Sequence, residues 1–161
     1  MKKVLLDTSV YGYLYERNMV LDFIDSMLAG QPKIIIYGYR VVRNELRQIP
    51  KTKKIGKTQL RMLTLSLYDK FVGKHSLETA DLVSALAEKY YVQLKGTRSY
   101  KKIKDDLLII ACASYHNLDI ICSQDEKTLK SKEFIKACRI VNNRNDLRTP
   151  EFMSVEELLK I

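Results

Sequence analysis

Short, uninterrupted runs of apolar residues, separated by longer segments with helical spacing, constrain the fold of this chain most strongly. Residues 3–6, 33–37, 119–123 and 139–143 each form such a run, and we predict that each is a buried strand. A strand that is apolar throughout has both of its faces covered, which is typical of a parallel sheet between helices. The sequence therefore predicts an α/β fold with three α/β/α layers around a central parallel β-sheet.

The segments between these runs carry apolar side chains at helical spacing. Residues 10–28 are expected to form two short helices that are broken near Arg17 and Asn18, and residues 29–32 are expected to form a turn. Ser154 and Glu157 match the capping-box pattern before a last helical turn. The middle of the chain is expected either to be entirely helical or to contain a further strand near Val92. The remaining predicted helices cover residues 39–48, 59–72, 77–94 and 107–115.

The chain of 161 residues is long enough to bury a substantial core, and we predict one domain over residues 1–161 with a lysine-rich helical segment at about 51–104. Hydrophobic residues make up 46% of the chain, which excludes a disordered composition. No apolar run approaches the roughly 20 residues that cross a bilayer. Asp7 interrupts the first apolar run too early for a signal peptide. We therefore expect a cytoplasmic protein without membrane association.

The cysteines and histidines do not form a zinc motif. Cys112, Cys122 and Cys138 have no metal-ligand spacing, and we expect them to be reduced core residues. His75 and His116 lie far apart in the sequence, at expected surface or helix-end positions. A zinc site is therefore not predicted.

The charge balance favours a polyanionic partner. The chain has 28 lysines and arginines against 19 aspartates and glutamates, a net charge of +9. Such an excess attracts nucleic acid through phosphate neutralisation and counterion release. The alternative is that the lysines serve solubility alone.

Four acidic residues stand where a parallel sheet forms its ligand sites, beyond the carboxyl ends of strands. Asp7 ends the first strand and Asp125 follows the third, whereas Glu45 and Asp106 lie on helices that can face the same edge. Each acid alone has a structural alternative as a helix cap, a solvated helix residue, a helix-dipole partner or a turn residue. Their joint placement favours one shared site.

Crowded carboxylates repel one another, and a hard divalent cation relieves that repulsion. Mg²⁺ and Mn²⁺ prefer oxygen ligands, so either ion suits a site built of aspartate and glutamate. In phosphodiester hydrolysis such an ion activates water and stabilises the leaving oxygen. The four acids within a basic chain thus indicate a metal-dependent nuclease.

Four short segments of the chain combine these acids with strands and helices in a fixed order. A strand leads into Asp7-Thr8-Ser9, a helix carries Glu45, an apolar helix follows Asp106, and a strand leads into Ser123-Gln124-Asp125. The segments are VLLDTSV at 4–10, VRNEL at 42–46, DLLIIACA at 106–113 and IICSQD at 120–125. In this order they resemble the PIN-domain ribonucleases, especially the VapC-type toxins of toxin–antitoxin pairs.

The resemblance implies a PIN-like fold and an endoribonuclease in which Asp7, Glu45, Asp106 and Asp125 are the catalytic, metal-binding acids. By the same resemblance Ser123 positions a phosphate or a water molecule. A protein antitoxin and a homodimer are implied as well. The adjacent Asp105 is an alternative to Asp106, and the number of bound ions is left open.

The basic residues Lys51, Lys54 and Lys101 are predicted to bind the RNA substrate, with ordinary solvated surface as the alternative. Two other functions stay open. One is a non-catalytic PIN-like module that binds RNA or protein, which has no physical need to keep four acids together. The other is a nuclease that cuts DNA instead of RNA.

Overall fold

The computed structural model describes residues 1–29, 33–96 and 98–161. Within these ranges the strands are β1 (Lys2–Leu6), β2 (Ile34–Tyr39), β3 (Lys54–Ile55), β4 (Thr58–Gln59), β5 (Ser76–Leu77), β6 (Ile120–Cys122) and β7 (Glu151–Met153). The helices are α1 (Thr8–Glu16), α2 (Val20–Ala29), α3 (Arg40–Arg47), α4 (Leu60–Val72), α5 (Asp81–Gln93), α6 (Tyr100–Tyr115), α7 (Lys132–Arg144) and α8 (Val155–Leu158).

The central sheet has five parallel strands in the order β5-β2-β1-β6-β7. Strand β1 lies in the middle, where Val4 pairs with Ile36 on one side and with Ile120 on the other. Helix α4 packs against α1 and α3, and α5 packs against α6 and α7. The predicted three-layer fold with a central parallel sheet is therefore confirmed.

Several local predictions are also confirmed. Helices α1 and α2 are separated at Arg17 and Asn18, where Asn18 adopts a positive φ of 53° that ends the first helix. Ser154 and Glu157 form the expected capping box at the start of α8. The predicted turn at 29–32 falls largely on residues 30–32, which lie outside the described residues.

The predicted fourth strand at residues 139–143 is wrong, because these residues form the second half of α7. Their β-branched pair, Ile140 and Val141, favoured a strand locally. The buried positions of α7 instead repeat at helical spacing, and this longer pattern prevails. Those positions are Phe134, Ala137, Cys138, Val141 and Asn142.

The two edge strands of the sheet were not predicted. Strand β5 has two residues and β7 has three, too few for a period to show in the sequence. The predicted helix at 77–94 begins only at Asp81, and Val92 lies inside α5 with 75% of its surface exposed. Strands β3 and β4 form a separate antiparallel hairpin near the start of the lysine-rich segment at 51–104 that was predicted to be helical.

Helix α6 begins at Tyr100, earlier than the predicted helix at residues 107–115. Ile103 is only 3% exposed and extends the apolar stripe of the helix by one turn. Tyr100 packs against Tyr91 of α5 with ring centroids 4.9 Å apart. Asp106 therefore lies in the second turn of α6, away from the terminal N–H groups.

All three cysteines are free and buried in the core, as expected. Among the described residues, none of the helices combines the length and the apolar character that crossing a membrane requires.

Candidate active site

The parallel strands bring distant acidic residues to one edge of the sheet. Asp7 directly follows β1, and Asp125 lies three residues after the neighbouring strand β6. Glu45 lies on α3, which follows β2 on the other side of β1. Carboxyl ends of parallel strands meet at the same edge, so three segments of the chain contribute acids to one place.

Asp7 is the most buried of these acids, with 5% of its surface exposed. Its side chain makes no capping hydrogen bond to α1, although the residue occupies the N-cap position. Instead the hydroxyls of Ser9 and Ser123 each donate a hydrogen bond of 2.8 Å to Asp7 Oδ2. The helix-cap alternative for the Asp7 side chain is therefore excluded.

The burial of Asp7 raises the pKa of its carboxyl group above the ordinary value, despite the hydrogen bonds from Ser9 and Ser123. The negative charge of Asp125 raises this pKa further. Asp7 and Asp125 are thus close enough to repel each other.

Glu45 is half-buried on α3 and accepts a hydrogen bond from the Thr8 hydroxyl. The pKa of Glu45 is raised to about 7, mainly by burial and against the effect of this hydrogen bond. Repulsion from Asp7, Asp105 and Asp106 contributes to this rise. The solvated-helix alternative for Glu45 therefore does not hold.

Asp105 and Asp106 differ sharply in their surroundings. Asp105 is exposed, whereas Asp106 is half-buried. The pKa of Asp106 is raised to about 7, mainly by burial and in addition by repulsion from Asp7 and Asp125, whereas a hydrogen bond with Thr128 acts to lower it. The structure thus turns Asp106 towards the other acids.

Asp125 is held by the turn that it begins. Its Oδ1 accepts hydrogen bonds of 3.0 Å from the backbone N–H groups of Lys127 and Thr128, and its Oδ2 accepts one from the Thr128 hydroxyl. Burial raises the pKa of Asp125, but these hydrogen bonds outweigh burial and hold the pKa below the ordinary value. The Asp125 backbone N–H donates to Ser123 Oγ at 3.0 Å.

The other three acids therefore lie within electrostatic reach of Asp7, and no lysine or arginine of the described chain forms an ion pair with any of the four. In the described residues, no three Asp, Glu, His or Cys side chains are arranged to hold a metal ion as they stand. Threonine hydroxyls occupy oxygens of Glu45 and Asp125. The donor set, which is made of oxygens alone and crowded with negative charge, fits a hard divalent cation.

The predicted substrate-binding lysines lie on the surface. Lys51 and Lys54 are exposed in and beside the β3–β4 hairpin, and Lys101 is exposed in the first turn of α6. The cleft beside the start of α1 is instead lined by Lys53, which forms an ion pair of 3.5 Å with Glu16.

Sequence reasoning missed the hydroxyl groups that hold the acids. Thr8 and Ser9 were noted only as the residues that follow Asp7 in the first motif, yet the Thr8 hydroxyl donates to Glu45 and the Ser9 hydroxyl donates to Asp7. The Thr128 hydroxyl donates a hydrogen bond to Asp125, which lies three residues earlier in the chain. This separation is typical of turns in which a side chain accepts the hydrogen bond. That spacing is the one signal that could have identified Thr128.

No family model and no curated protein matches the sequence. Solved structures do match. A chain of VapBC2 from Rickettsia felis, bound to a DNA fragment from its promoter, is 14% identical with a TM-score of 0.51 over 94% of this chain and 98% of that one. A chain of VapBC-1 from nontypeable Haemophilus influenzae is 16% identical, with a TM-score of 0.58 over 96% and 98%. A chain of FitAcB from Neisseria gonorrhoeae is 16% identical, with a TM-score of 0.54 over 95% and 98%.

Each match spans nearly the whole length of both compared chains, but the sequence identities are too low to show more than the fold. They agree with the resemblance that the sequence motifs indicated. The chain therefore has the PIN-like fold of the VapC-type structures.

Proposed function

We propose that this chain is a divalent-metal-dependent endoribonuclease and the toxin of a toxin–antitoxin pair. The observation that carries the proposal is the cluster formed by Asp7, Glu45, Asp106 and Asp125 at the carboxyl edge of the sheet. Burial and mutual repulsion raise the pKa of three of these carboxyl groups, and no described cation neutralises them. Such a cluster is unfavourable for folding, which is typical of sites that serve a ligand.

Mg²⁺ or Mn²⁺ would be held by the four acids Asp7, Glu45, Asp106 and Asp125. To bind the ion, Glu45 and Asp125 would give up the hydrogen bonds that they accept from threonine hydroxyls. A bound ion of this kind lowers the pKa of a water molecule and neutralises the scissile phosphate. The side chains of Ser9 and Ser123 keep the Asp7 carboxylate in one orientation, because both donate to the same oxygen.

The proposed reaction is hydrolysis of an RNA phosphodiester. Water attacks the phosphorus atom and the bond to the 3′ oxygen breaks, which leaves a 5′-phosphate and a 3′-hydroxyl. Glu45 and Asp106, with pKa values of about 7, can exchange protons near neutral pH before the site is loaded. Ser123 is fully buried, and its hydroxyl donates to Asp7 and accepts from the Asp125 backbone N–H, so in the proposed site it would hold these two acids in place.

The partners follow from charge and from the fold. A net charge of +9 and the exposed lysines Lys51, Lys54 and Lys101 favour RNA binding. The similar solved structures are VapBC and FitAcB assemblies, which supports a protein antitoxin for this chain. We also propose a homodimer and a cytoplasmic location.

The purified chain is to be incubated with single-stranded and with structured RNA, in Mg²⁺, in Mn²⁺ or in chelator. We expect internal cleavage that requires a divalent ion and leaves 5′-phosphate ends, and we expect Asp7→Asn to remove it. Cleavage that persists in chelator, or in the Asp7→Asn variant, would contradict the mechanism. A parallel reaction with single-stranded DNA tests the DNA alternative.

The second candidate function is a non-catalytic module that binds RNA or protein. The absence of a ready metal-holding arrangement among the described residues favours it. It predicts RNA binding that is equal with and without divalent ions, together with no new 5′-phosphate ends. Calorimetric titration of Mg²⁺ separates the two functions, because only the nuclease is expected to take up the ion at the four acids.

A further inference from the structure

Gly12 occupies a position in α1 that the fold itself does not require to be glycine. It lies in the middle of the helix with helical backbone, and a Cβ atom built there would meet no atom of the described residues within 4 Å, apart from its chain neighbours and the backbone of its own helix. Glycine inside a helix costs about 1 kcal/mol relative to alanine. Packing among the described residues therefore does not account for this glycine.

Gly38 in β2 provides the contrast. A Cβ atom at Gly38 would lie 2.3 Å from the Tyr68 hydroxyl oxygen and 2.6 Å from the Val72 side chain. Packing thus explains Gly38, whereas no described residue outside its own helix occupies the space that a Cβ atom at Gly12 would take.

The open space at Gly12 belongs to a cleft of about 270 Å³ beside the acid cluster. Three of its lining residues take part in the hydrogen bonds that hold the acids in place. The Thr8 hydroxyl donates to Glu45, the Ser9 hydroxyl donates to Asp7, and the Gln124 backbone N–H donates to Ser9 Oγ. A ligand in this cleft would therefore lie directly beside the proposed catalytic site.

The lining of the cleft suits an uncharged ring more than a phosphate. Lys53 and Glu16 line it as an ion pair, so their charges offset each other. The rest of the lining is neutral, with hydroxyl and amide groups, an aromatic ring and two aliphatic side chains. These residues are Thr8, Ser9, Gly12, Tyr13, Ile49, Leu60 and Gln124.

We propose that this cleft binds one nucleoside of a single-stranded RNA, with its base against the bare backbone at Gly12. The proposal rests on the proposed ribonuclease function and adds a position for the nucleotide next to the scissile phosphate. Bases of single-stranded RNA are accessible to aromatic side chains, and Tyr13 provides one in the cleft.

The first test combines stability with cleavage in the Gly12→Ala and Gly12→Leu variants. Alanine restores helix propensity, and we expect it to raise the thermal unfolding midpoint by about 2–4 °C. Both variants narrow the cleft, and we expect kcat/KM for a single-stranded RNA to fall about tenfold with alanine and further with leucine. Ala85→Leu on the exposed face of α5 is the matched control and is expected to cleave normally.

A second substrate shows whether the base is the group that the cleft binds. We expect an RNA with an abasic nucleotide beside the cleaved bond to be cut equally by wild type and Gly12→Leu. If wild type cuts RNA and both glycine variants match it in kcat/KM and in cleavage sites, the cleft has no role in binding. Should Gly12→Leu fail to fold, the same comparison with Gly12→Ala decides.

Direct titration separates this proposal from the proposed function. Adenosine, guanosine, cytidine and uridine are added in turn to the isotope-labelled protein, and backbone amide resonances are followed. We expect shifts at Thr8, Gly12 and Tyr13 that Gly12→Leu removes. If wild type cuts no RNA but these shifts occur, the nuclease proposal fails and the nucleoside site stands; if none of the four nucleosides shifts them, the nucleoside site is refuted.

Discussion

Asp7 is the residue on which the proposed chemistry depends most, because it lies between the other acids and is held by two serine hydroxyls. We expect Asp7→Asn to lower RNA cleavage by about a hundredfold or more, since a ligand oxygen and its charge are lost together. The fold should persist, because asparagine can still accept the serine hydrogen bonds. Initial rates in Mg²⁺ measure the effect.

Asp105→Asn is the control for this change, because Asp105 is exposed and adjacent to the inward-facing Asp106. It should cleave RNA within about twofold of wild type. Equal losses in both variants would indicate a general effect of surface charge instead of a specific site.

Gly38 is a residue whose role is packing alone. We expect Gly38→Ala to lower the free energy of unfolding by about 1–3 kcal/mol, because the added methyl group displaces Tyr68 and Val72. The Tyr68 hydroxyl would also lose its hydrogen bond to the Tyr39 carbonyl oxygen. Urea unfolding measures the change, and an unchanged transition midpoint would contradict the close contact.

Single residues also show how much of the candidate site the sequence could predict. Asp7 and Asp125 follow apolar strands, and this pattern alone is enough to infer that they share one edge of the sheet. Thr8 could not be identified, since its hydrogen bond depends on the side-chain position of Glu45, which is distant in the sequence. A strand pattern locates a carboxylate at a sheet edge, but it does not say which hydroxyl reaches it.

Among the elements, α7 contains a buried polar contact that its strand-like sequence concealed. Asn142 is fully buried; its Nδ2 donates to Ser114 Oγ at 3.0 Å and to Thr149 Oγ1 at 2.9 Å. Its Oδ1 accepts from the Tyr90 hydroxyl at 2.6 Å. This one side chain connects α7 to α5, α6 and the segment before β7.

We expect Asn142→Ala to destabilise the protein by about 2–4 kcal/mol, because it leaves a cavity and removes the buried hydrogen bonds to Tyr90, Ser114 and Thr149. Asn143→Ala is the matched control, because Asn143 is exposed and its loss should change stability by less than about 0.5 kcal/mol. Thermal unfolding of both variants measures the difference. Equal midpoints would show that the buried contact contributes nothing.

The elements that the sequence predicted correctly have either a helical apolar period or an uninterrupted apolar run. Helices α4 and α6 and strands β1, β2 and β6 belong to this group, although α6 begins about two turns earlier than predicted. Strands β5 and β7 could not be predicted, because their existence depends on the neighbours β2 and β6 that pair with them.

At the scale of the whole molecule, the acid cluster couples folding to pH. The pKa values of Glu45 and Asp106 are about 7 in the folded chain, above those of exposed carboxyl groups in the unfolded chain. The folded state thus holds more protons between these values. We expect the free energy of unfolding without divalent ions to fall as pH rises from about 4.5 to about 7.

Thermal unfolding in chelator across this pH range measures how far the free energy of unfolding falls. The double variant Glu45→Gln/Asp106→Asn should show a smaller fall. Asp125 has a lowered pKa and acts in the opposite direction, but below this range. Mg²⁺ should stabilise the wild type most at high pH, where the acids are ionised. Identical pH profiles for wild type and double variant would contradict the burial and repulsion of these two acids.

The excess positive charge predicts that RNA binding depends on salt. Lys51, Lys54 and Lys57 are exposed beside the cleft that Lys53 lines. If each of the three neutralises one phosphate, glutamine at all three should lower the slope of log affinity against log salt by about 2. Fluorescence anisotropy at several salt concentrations measures this slope, with the Lys101, Lys102 and Lys104 triple variant for comparison. If the slope is unchanged in one of these triple variants, the three lysines replaced in it are ordinary surface residues.

The brevity of the outermost strands has a consequence for how copies of the chain meet. Strand β5 offers two residues and β7 offers three, so a second molecule finds hardly any open backbone against which to extend the sheet. Concentrated solutions should therefore resist strand-by-strand aggregation, and any pairing of copies must use helix or loop surfaces.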